Sequence, residues 1–562
     1  MTAVLGGLSV GLSAEAPKLE QLFPAGGVRG TTNAVVAVGK FDTWPVEVWM
    51  DAPGLVFRPE KDNGKFSVEV AANAEPGPRL VRMFNKDGAT ALRFFVVGEG
   101  REILEVEPND GLNQGQAVSG LPLVVNGRLE KNQDVDGYAV DLVGGQWLIA
   151  SLDAYRLTSP MDALMRVVDA EGRPVTMNHD GRILDPFIAW QAPSTGRFTV
   201  QVMAFPYPAN NSVNLAGGGA YVYRLNLTTG PYLRNTKPLV LQAGGERSVA
   251  FEGWSLGVSS NRVSAGSVPV TVPLYDPTRP HFVTSGVGAL NRLRVLTAED
   301  PSVMQGALER LGTNVFRLAI PGGVSSCLQV VGEEHRYRFT AKKGDRFEWA
   351  VLSGVYGFPL DAWLKIEDLA GKELVRDDDA GGWGDPRLEW TAPADGEFVV
   401  AIGSLVQRGG VDYQYHLMCS RPKPSVRATV AENVFVLEAG KTNEVKIAIG
   451  RKHGQEKAYR LRAVGLPASV VSPAVEVGAK AGEAVLKWWV HEDVSGWNGA
   501  VRFVLGQEGA EDVSVWHELI STSENNGVPG GFRELLVNET DSCWLTVLPK
   551  PPAKPAEPAK AK

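Results

Sequence analysis

Two stretches of this chain are copies of one another, and that duplication constrains the fold more than any other feature. Tyr138 aligns with Tyr337, Asp162-Ala163 with Asp361-Ala362, and Gly172 with Gly371, each at an offset of 199 residues. After a one-residue gap the offset becomes 200. Asp185-Pro186 then meets Asp385-Pro386, Trp190 meets Trp390, Ala192-Pro193 meets Ala392-Pro393, and Gly196 and Phe198 meet Gly396 and Phe398. Matches held at a near-constant spacing from Tyr138 to Phe198 are the signature of a duplicated domain.

Each copy reads as short apolar or alternating runs. In the first they fall at 138–142, 147–152, 163–168, 187–190, 197–202 and 221–227. The 63 glycines and 36 prolines are spread along the 562 residues, which favours many short strands joined by turns. Similar patterns flank the copies. The segment at 18–98 alternates at Val46-Glu47-Val48-Trp49 and at Phe66-Ser67-Val68-Glu69-Val70, with Pro-Gly and Asp-Gly turns between. Ala243-Gly244-Gly245-Glu246-Arg247 echoes Ala25-Gly26-Gly27-Val28-Arg29, and Gly253-Trp254 answers Gly39-Lys40. The expected fold class is all-β, in tandem β-sandwich domains. They divide as an immunoglobulin-like sandwich at 18–98, the first copy at 99–231, a small immunoglobulin-like domain at 232–298, the second copy at 299–422 and a C-terminal immunoglobulin-like domain at 423–549.

The two ends read differently. Residues 3–12 are apolar and Gly-rich, and Ala14-Glu15-Ala16 fits a small-residue cleavage site, so 1–17 read as the back half of an export signal without its basic start, the alternative being a disordered segment. Residues 550–562 are almost wholly Pro, Ala and Lys and are expected to be a disordered tail. No later stretch is long and apolar enough to span a membrane. The net charge of −8 argues against nucleic acid as a partner. Secreted, periplasmic or cell-surface placement is the expectation.

At the head of the first copy stands Glu105-Val106-Glu107-Pro108-Asn109-Asp110, and Asp134-Val135-Asp136-Gly137-Tyr138 follows at the start of its first long strand. Later come Asn178-His179-Asp180 in a turn and Ala192-Pro193-Ser194-Thr195-Gly196-Arg197-Phe198 before a closing strand. With these features in this order, 105–230 resemble the bacterial pre-peptidase C-terminal domain, a β-sandwich of jelly-roll type appended to secreted proteases and collagenases. The second copy keeps the later features, with Asp377-Asp378-Asp379 in the turn. The flanking domains look like the immunoglobulin-like pieces of large exported proteins of planctomycete-type bacteria.

The resemblance nominates one structural Ca²⁺ site, at Glu105, Glu107, Asn109, Asp110, Asp134 and Asp136. The residue types suit it: calcium takes six to eight oxygens, and residues two apart on an extended chain share a side. The competing reading is a solvated acidic linker ending in a turn. In the second copy Ala298-Glu299-Asp300-Pro301-Ser302 is read as the linker and Glu334-His335-Arg336-Tyr337 replaces the Asp pair, so no site is expected there.

The seven histidines form no His-Glu-x-x-His motif, and the chain has neither a Gly-x-Ser-x-Gly elbow nor a P-loop. The adjacent His179 and Asp180 and the Asp377–379 run are read as structural. Of three cysteines, Cys327 and Cys419 lie near the first and last strands of the second copy, which neighbour each other in many sandwiches. A disulfide between them is expected on export, the alternative being two buried thiols. The long loop at 204–219, with Phe205, Tyr207, Asn210 and Asn211, is the expected recognition surface. The functional expectation is a non-enzymatic binding or adhesion protein whose ligand is a protein or polysaccharide. The alternatives are an accessory subunit or inactive relative of a secreted peptidase or hydrolase, and a structural spacer.

Overall fold

The computed structural model describes residues 15–550, apart from 112–113, 183, 209–211, 257–264, 275–280, 284–288, 382–383 and 520–538. The first part of the signal-like segment, the tail from 551, Asn210 and Asn211 therefore lie outside the described residues. The chain is all-β: the described residues form strands and three short 3₁₀ turns, with no α-helix among them. It divides into two compact units, one made of the N-terminal and C-terminal domains and the other of 98–423.

In the first unit, the N-terminal domain folds into a four-stranded and a five-stranded sheet. Alternation drives their packing: Phe66, Val68 and Val70 of Lys65–Val70 are buried while Lys65 and Glu69 are exposed. Phe57, Phe66 and Phe95 meet edge to face at 5.7 Å, an arrangement worth about 1 kcal/mol per pair beyond burial. The C-terminal domain packs on this sandwich through Trp544, whose ring lies 6.2 Å from Trp49 and 4.6 Å from Phe84. Asn498 adds a hydrogen bond from its Nδ2 to the Asn85 carbonyl at 2.9 Å.

The second unit holds the two copies. In the first, one sheet orders Glu102–Leu104, Leu123–Arg128, Val222–Thr228, Trp147–Asp153 and Phe187–Gln191; the facing sheet orders Gln116–Ala117, Asp136–Leu142, Gly196–Pro206, Met161–Val168 and Pro174–Asn178. The second copy repeats both orders, with Arg310–Gly312 as an additional edge strand. The register repeats too: Tyr138 pairs with Val200 and Tyr337 with Val400. The repeated residues have physical jobs. Trp190 and Phe198 meet across the core at 5.0 Å and 70°, and Trp390 and Phe398 at 4.9 Å and 71°. Gly172 and Gly371 close the same hairpin turn at φ +80 and +84, where a side chain is strained.

The small domain between the copies answers the N-terminal one at an offset of 214 residues. Leu19 pairs with Gly39 and Leu233 with Gly253, each beside a bulge. A Cβ at Gly39 or Gly253 would overlap the carbonyl oxygen of Lys18 or Tyr232, so both positions require glycine. Ala25 and Ala243 are not counterparts. Gly26–Val28 is a strand whose counterpart is Val240–Gln242, and Gly244 lies in the turn after it. Gly253→Ala is expected to lower the unfolding midpoint in denaturant, by about 1–3 kcal/mol of stability; an unchanged midpoint would mean that the bulge absorbs the methyl.

The Cys327–Cys419 bridge is absent, and both thiols are free. Their strands, Gly322–Cys327 and Gln414–Ser420, are neighbours, but Cys327 faces Gln414 while Cys419 faces Gly322. Five residues of register separate them by roughly 16 Å at the rise of a strand, and a disulfide needs Cα atoms within about 7 Å. Titration of the denatured, unreduced protein is expected to count three thiols per chain; one would reveal a bridge.

Candidate metal centre

Residues 102–104 run parallel to Leu123–Arg128, and the Glu105 N–H extends that ladder to the Asn126 carbonyl at 3.1 Å. The chain then crosses to the other sheet, where Asp136 opens the strand Asp136–Leu142. Four carboxylates from these two places, Glu107, Asp110, Asp134 and Asp136, bring one oxygen each within 4.8 Å of one another. Glu105 joins them beside Asp136.

Several of these carboxylates are anchored by one oxygen. Glu105 Oε2 accepts from the Arg128 N–H at 2.6 Å, Glu107 Oε2 from Asn109 N–H at 2.8 Å, and Asp134 Oδ2 from Glu130 N–H at 2.5 Å. Asp136 Oδ2 accepts from the Tyr223 hydroxyl, which also bonds that of Tyr138 at 2.5 Å. Three opposite oxygens, Glu107 Oε1, Asp134 Oδ1 and Asp136 Oδ1, are buried without a hydrogen-bond partner. Lys131 supplies part of the opposing charge, 3.4 Å from Asp110 and 3.6 Å from Asp134. Burial pushes the Glu105 carboxyl up to about 7; burial and the Glu105 charge push Asp136 up to about 10. Asn109 is fully buried and holds Gly137 N–H through its Oδ1 at 3.3 Å.

An all-oxygen set of anchored carboxylates with orphaned buried oxygens fits a hard divalent cation of calcium's size. Bonds of about 2.4 Å place oxygens on one ion within about 4.8 Å of each other. A nitrogen- and sulfur-seeking metal would find no matching ligand among these six side chains.

The second copy resolves the same charge problem differently. Ser302 pairs with Gly323 as Glu102 pairs with Val124, so the counterpart of Glu105 is Gln305, not a residue of 298–302. His335 stands in the place of Asp136 and Glu333 in that of Asp134. Gln305 Nε2 donates to the Tyr337 hydroxyl at 2.9 Å, which bonds Tyr415 at 2.7 Å; His335 joins Tyr415 at 2.8 Å and Glu333 at 3.1 Å. That network needs no cation.

The other sequence candidates separate. His179 sits between two carboxylates, Nε2 3.1 Å from Asp162 and Nδ1 3.3 Å from Asp180, at ion-pair distance, while Nε2 and Asp162 Oδ1 are buried without a hydrogen bond. Asp377 Oδ2 takes the N–H groups of Ala380 and Arg387 at 3.0 and 2.8 Å, as Asn178 Oδ1 takes those of Gly181 and Phe187 at 2.7 and 2.9 Å. The Asp-rich run is thus a turn former. Phe205 lies within the strand Gly196–Pro206, and Tyr207 packs edge-on against Tyr155 at 5.1 Å. The return limb of the loop is fastened where Gln133 N–H meets the Leu215 carbonyl at 3.1 Å.

Sequence reading missed the role of Asp185 and Asp385, although the repeat marks both. Asp185 receives the N–H groups of Ala154, Tyr155 and Arg156 at 2.9, 2.8 and 3.3 Å. Asp385 receives those of Ser353, Gly354 and Val355 at 3.0, 2.9 and 3.5 Å. Each thereby holds the start of a 3₁₀ turn, Tyr155–Leu157 or Gly354–Tyr356.

No family model matches the sequence, and no curated protein matches it. Among solved structures, the chain is similar to the pre-peptidase C-terminal domain of collagenase from Bacillus anthracis, at 10% identity and a TM-score of 0.17, covering 20% of this chain and 100% of that one. It is also similar to Escherichia coli alpha-2-macroglobulin, at 9% identity and a TM-score of 0.13, covering 93% of this chain and 52% of that one. A third is the surface layer protein SbsC, domains 1–6, at 8% identity and a TM-score of 0.16, covering 96% and 55%. The chain spans about half the length of the last two. Among the described residues, no helix is long and apolar enough to cross a membrane. These likenesses concern the β-sandwich fold alone.

Proposed function

We propose that this is an exported binding protein of the cell envelope or extracellular space, in which a structural calcium ion orders the head of the first of two pre-peptidase C-terminal-type modules. The observation that carries the reading is the set of three buried carboxylate oxygens without a hydrogen bond on Glu107, Asp134 and Asp136. Calcium at one site ties the linker 105–110 to the strand Asp136–Leu142 and leaves the second module to its own hydrogen-bonded network. Extracellular calcium modules bind the ion at roughly 10⁻⁴–10⁻³ M, which suits a compartment where the ion is abundant. The protein acts by holding a protein or polysaccharide partner, with its β-domains as the rigid carrier. A glycan and envelope-protein binding screen of the full chain, with calcium and with chelator, tests this. Partner capture that weakens in chelator is expected; silence across the panel would leave a spacer.

A further inference from the structure

A second group of side chains in the first module has metal-ligand character. Asp162, His179 and Asp180 bring one ring nitrogen and two carboxylate oxygens within 4.8 Å of one another. None of the three belongs to the carboxylate set at 105–136. Asp162 stands on the strand Met161–Val168, between the buried Met161 and Ala163 and so on the opposite face of the sheet. His179 and Asp180 follow the strand Pro174–Asn178, which pairs with Met161–Val168 through Met165 and Asn178. The turn that carries them is held from within, where Asn178 Oδ1 accepts the N–H groups of Gly181 and Phe187. The backbone positions of all three residues are therefore fixed by pairing and by the turn.

The geometry at the centre of the group is that of two ligands side by side. His179 Nε2 and Asp162 Oδ1 lie 3.1 Å apart, both are buried, and no hydrogen bond joins them. A nitrogen and an oxygen this close, yet not aligned as donor and acceptor, suit a shared third centre. Zinc holds a histidine nitrogen at about 2.0–2.1 Å and a carboxylate oxygen at about 2.0–2.2 Å, which at bond angles of about 90–110° places the two about 3.0–3.4 Å apart. Asp180 has its Oδ2 3.3 Å from Nδ1 and is more than half exposed, so it can close the set from the solvent side. One imidazole with two carboxylates is a mixed nitrogen and oxygen set, which suits zinc-class ions better than calcium or magnesium. In the second module Asp377 takes the register position of Asn178, so the place of His179 falls to Asp378 and the nitrogen ligand is missing.

We infer that Asp162, His179 and Asp180 form a second cation site, selective for a zinc-class divalent ion, with water completing the coordination. The ion gives both buried atoms a partner and joins the strand Met161–Val168 to the turn after Asn178. The first module then carries two sites of different chemistry, an all-oxygen one at its head and a nitrogen-containing one on the outer face of its sheet. The inference shares no residue with the calcium reading and does not depend on it.

Equilibrium dialysis of the full chain against zinc chloride, in saturating calcium and near neutral pH, tests it. Uptake of zinc and a rise in the melting temperature of the parent are expected. His179→Gln and Asp162→Asn should each weaken zinc by at least about tenfold, and Asp180→Asn by less. Cobalt in place of zinc gives a second readout in the parent, a visible absorption that excess zinc removes. Should either buried substitution unfold the turn, Asp180→Asn, on an exposed side chain, still carries the comparison. No zinc uptake by the parent, or uptake that His179→Gln and Asp180→Asn leave unchanged, overturns the site and leaves His179 as a charged bridge between two carboxylates. Zinc uptake that depends on His179 in a chain whose melting ignores calcium would remove the calcium reading and leave this site standing.

Discussion

Saturating calcium is expected to raise the stability of the first module by about 2.7 kcal/mol at a hundredfold excess over its dissociation constant, a shift of about 5–10 °C in its thermal transition. Asp136→Asn abolishes that response and leaves the calcium-free protein more stable than its parent. The second half of the expectation is what separates a metal site from an acidic linker. In the absence of an ion, Glu105 and Asp136 repel one another in a buried setting, and both carboxyls are raised, to about 7 and about 10. A raised carboxyl binds its proton more tightly in the folded than in the unfolded chain. Its stabilising contribution is therefore complete below the unfolded value near pH 4 and is lost as pH rises through about 7 and on toward 10. Calcium at the site would replace those protons, so its effect is expected to grow from about pH 5 to about pH 8. Scanning calorimetry with calcium and with chelator at both pH values measures it. Superimposable curves at the higher pH would sink the site, and a destabilised calcium-free Asp136→Asn would show that the carboxylate is needed for the hydrogen bond from Tyr223 rather than for an ion.

Much of this architecture was legible because it is written in local pattern. Alternation such as Phe66, Val68 and Val70 sets which face is buried, and a repeat that preserves Trp190 with Phe198 preserves a packed pair. The clustering of acids at 105–110 and 134–136 was legible for a similar reason, since residues two apart on a strand share a side. Where reading failed, the missing quantity was register or distance across the fold. Cys327 and Cys419 are on neighbouring strands but at opposite ends of the pairing. The counterpart of Glu105 is Gln305, which only the parallel pairing of Ser302–Met304 identifies.

Asp185→Ala and Asp385→Ala are expected to be the most damaging single substitutions in the two modules. Each carboxylate is buried and takes three backbone N–H groups that no strand can satisfy. A buried donor left without a partner costs about 1–3 kcal/mol, so three of them bring the loss to roughly 3 kcal/mol or more. That is a large part of the 5–15 kcal/mol that holds a typical domain. Asp185 should be the worse of the two, because its Oδ2 also lies 3.6 Å from the fully buried Arg156, whose other carboxylate is Asp153 at 3.2 Å. Removing one partner of a buried ion pair costs about 3–5 kcal/mol by itself. Asparagine at either position keeps one acceptor oxygen and the side-chain volume, and should fall between alanine and the parent. Denaturant unfolding of the full chain, followed by tryptophan fluorescence, orders the four variants. The expected order of stability is parent, Asp385→Asn, Asp185→Asn, Asp385→Ala, Asp185→Ala. Alanine variants within about 1 kcal/mol of the parent would mean that water reaches the freed N–H groups, and that the 3₁₀ turns are held by their flanking strands rather than by these carboxylates.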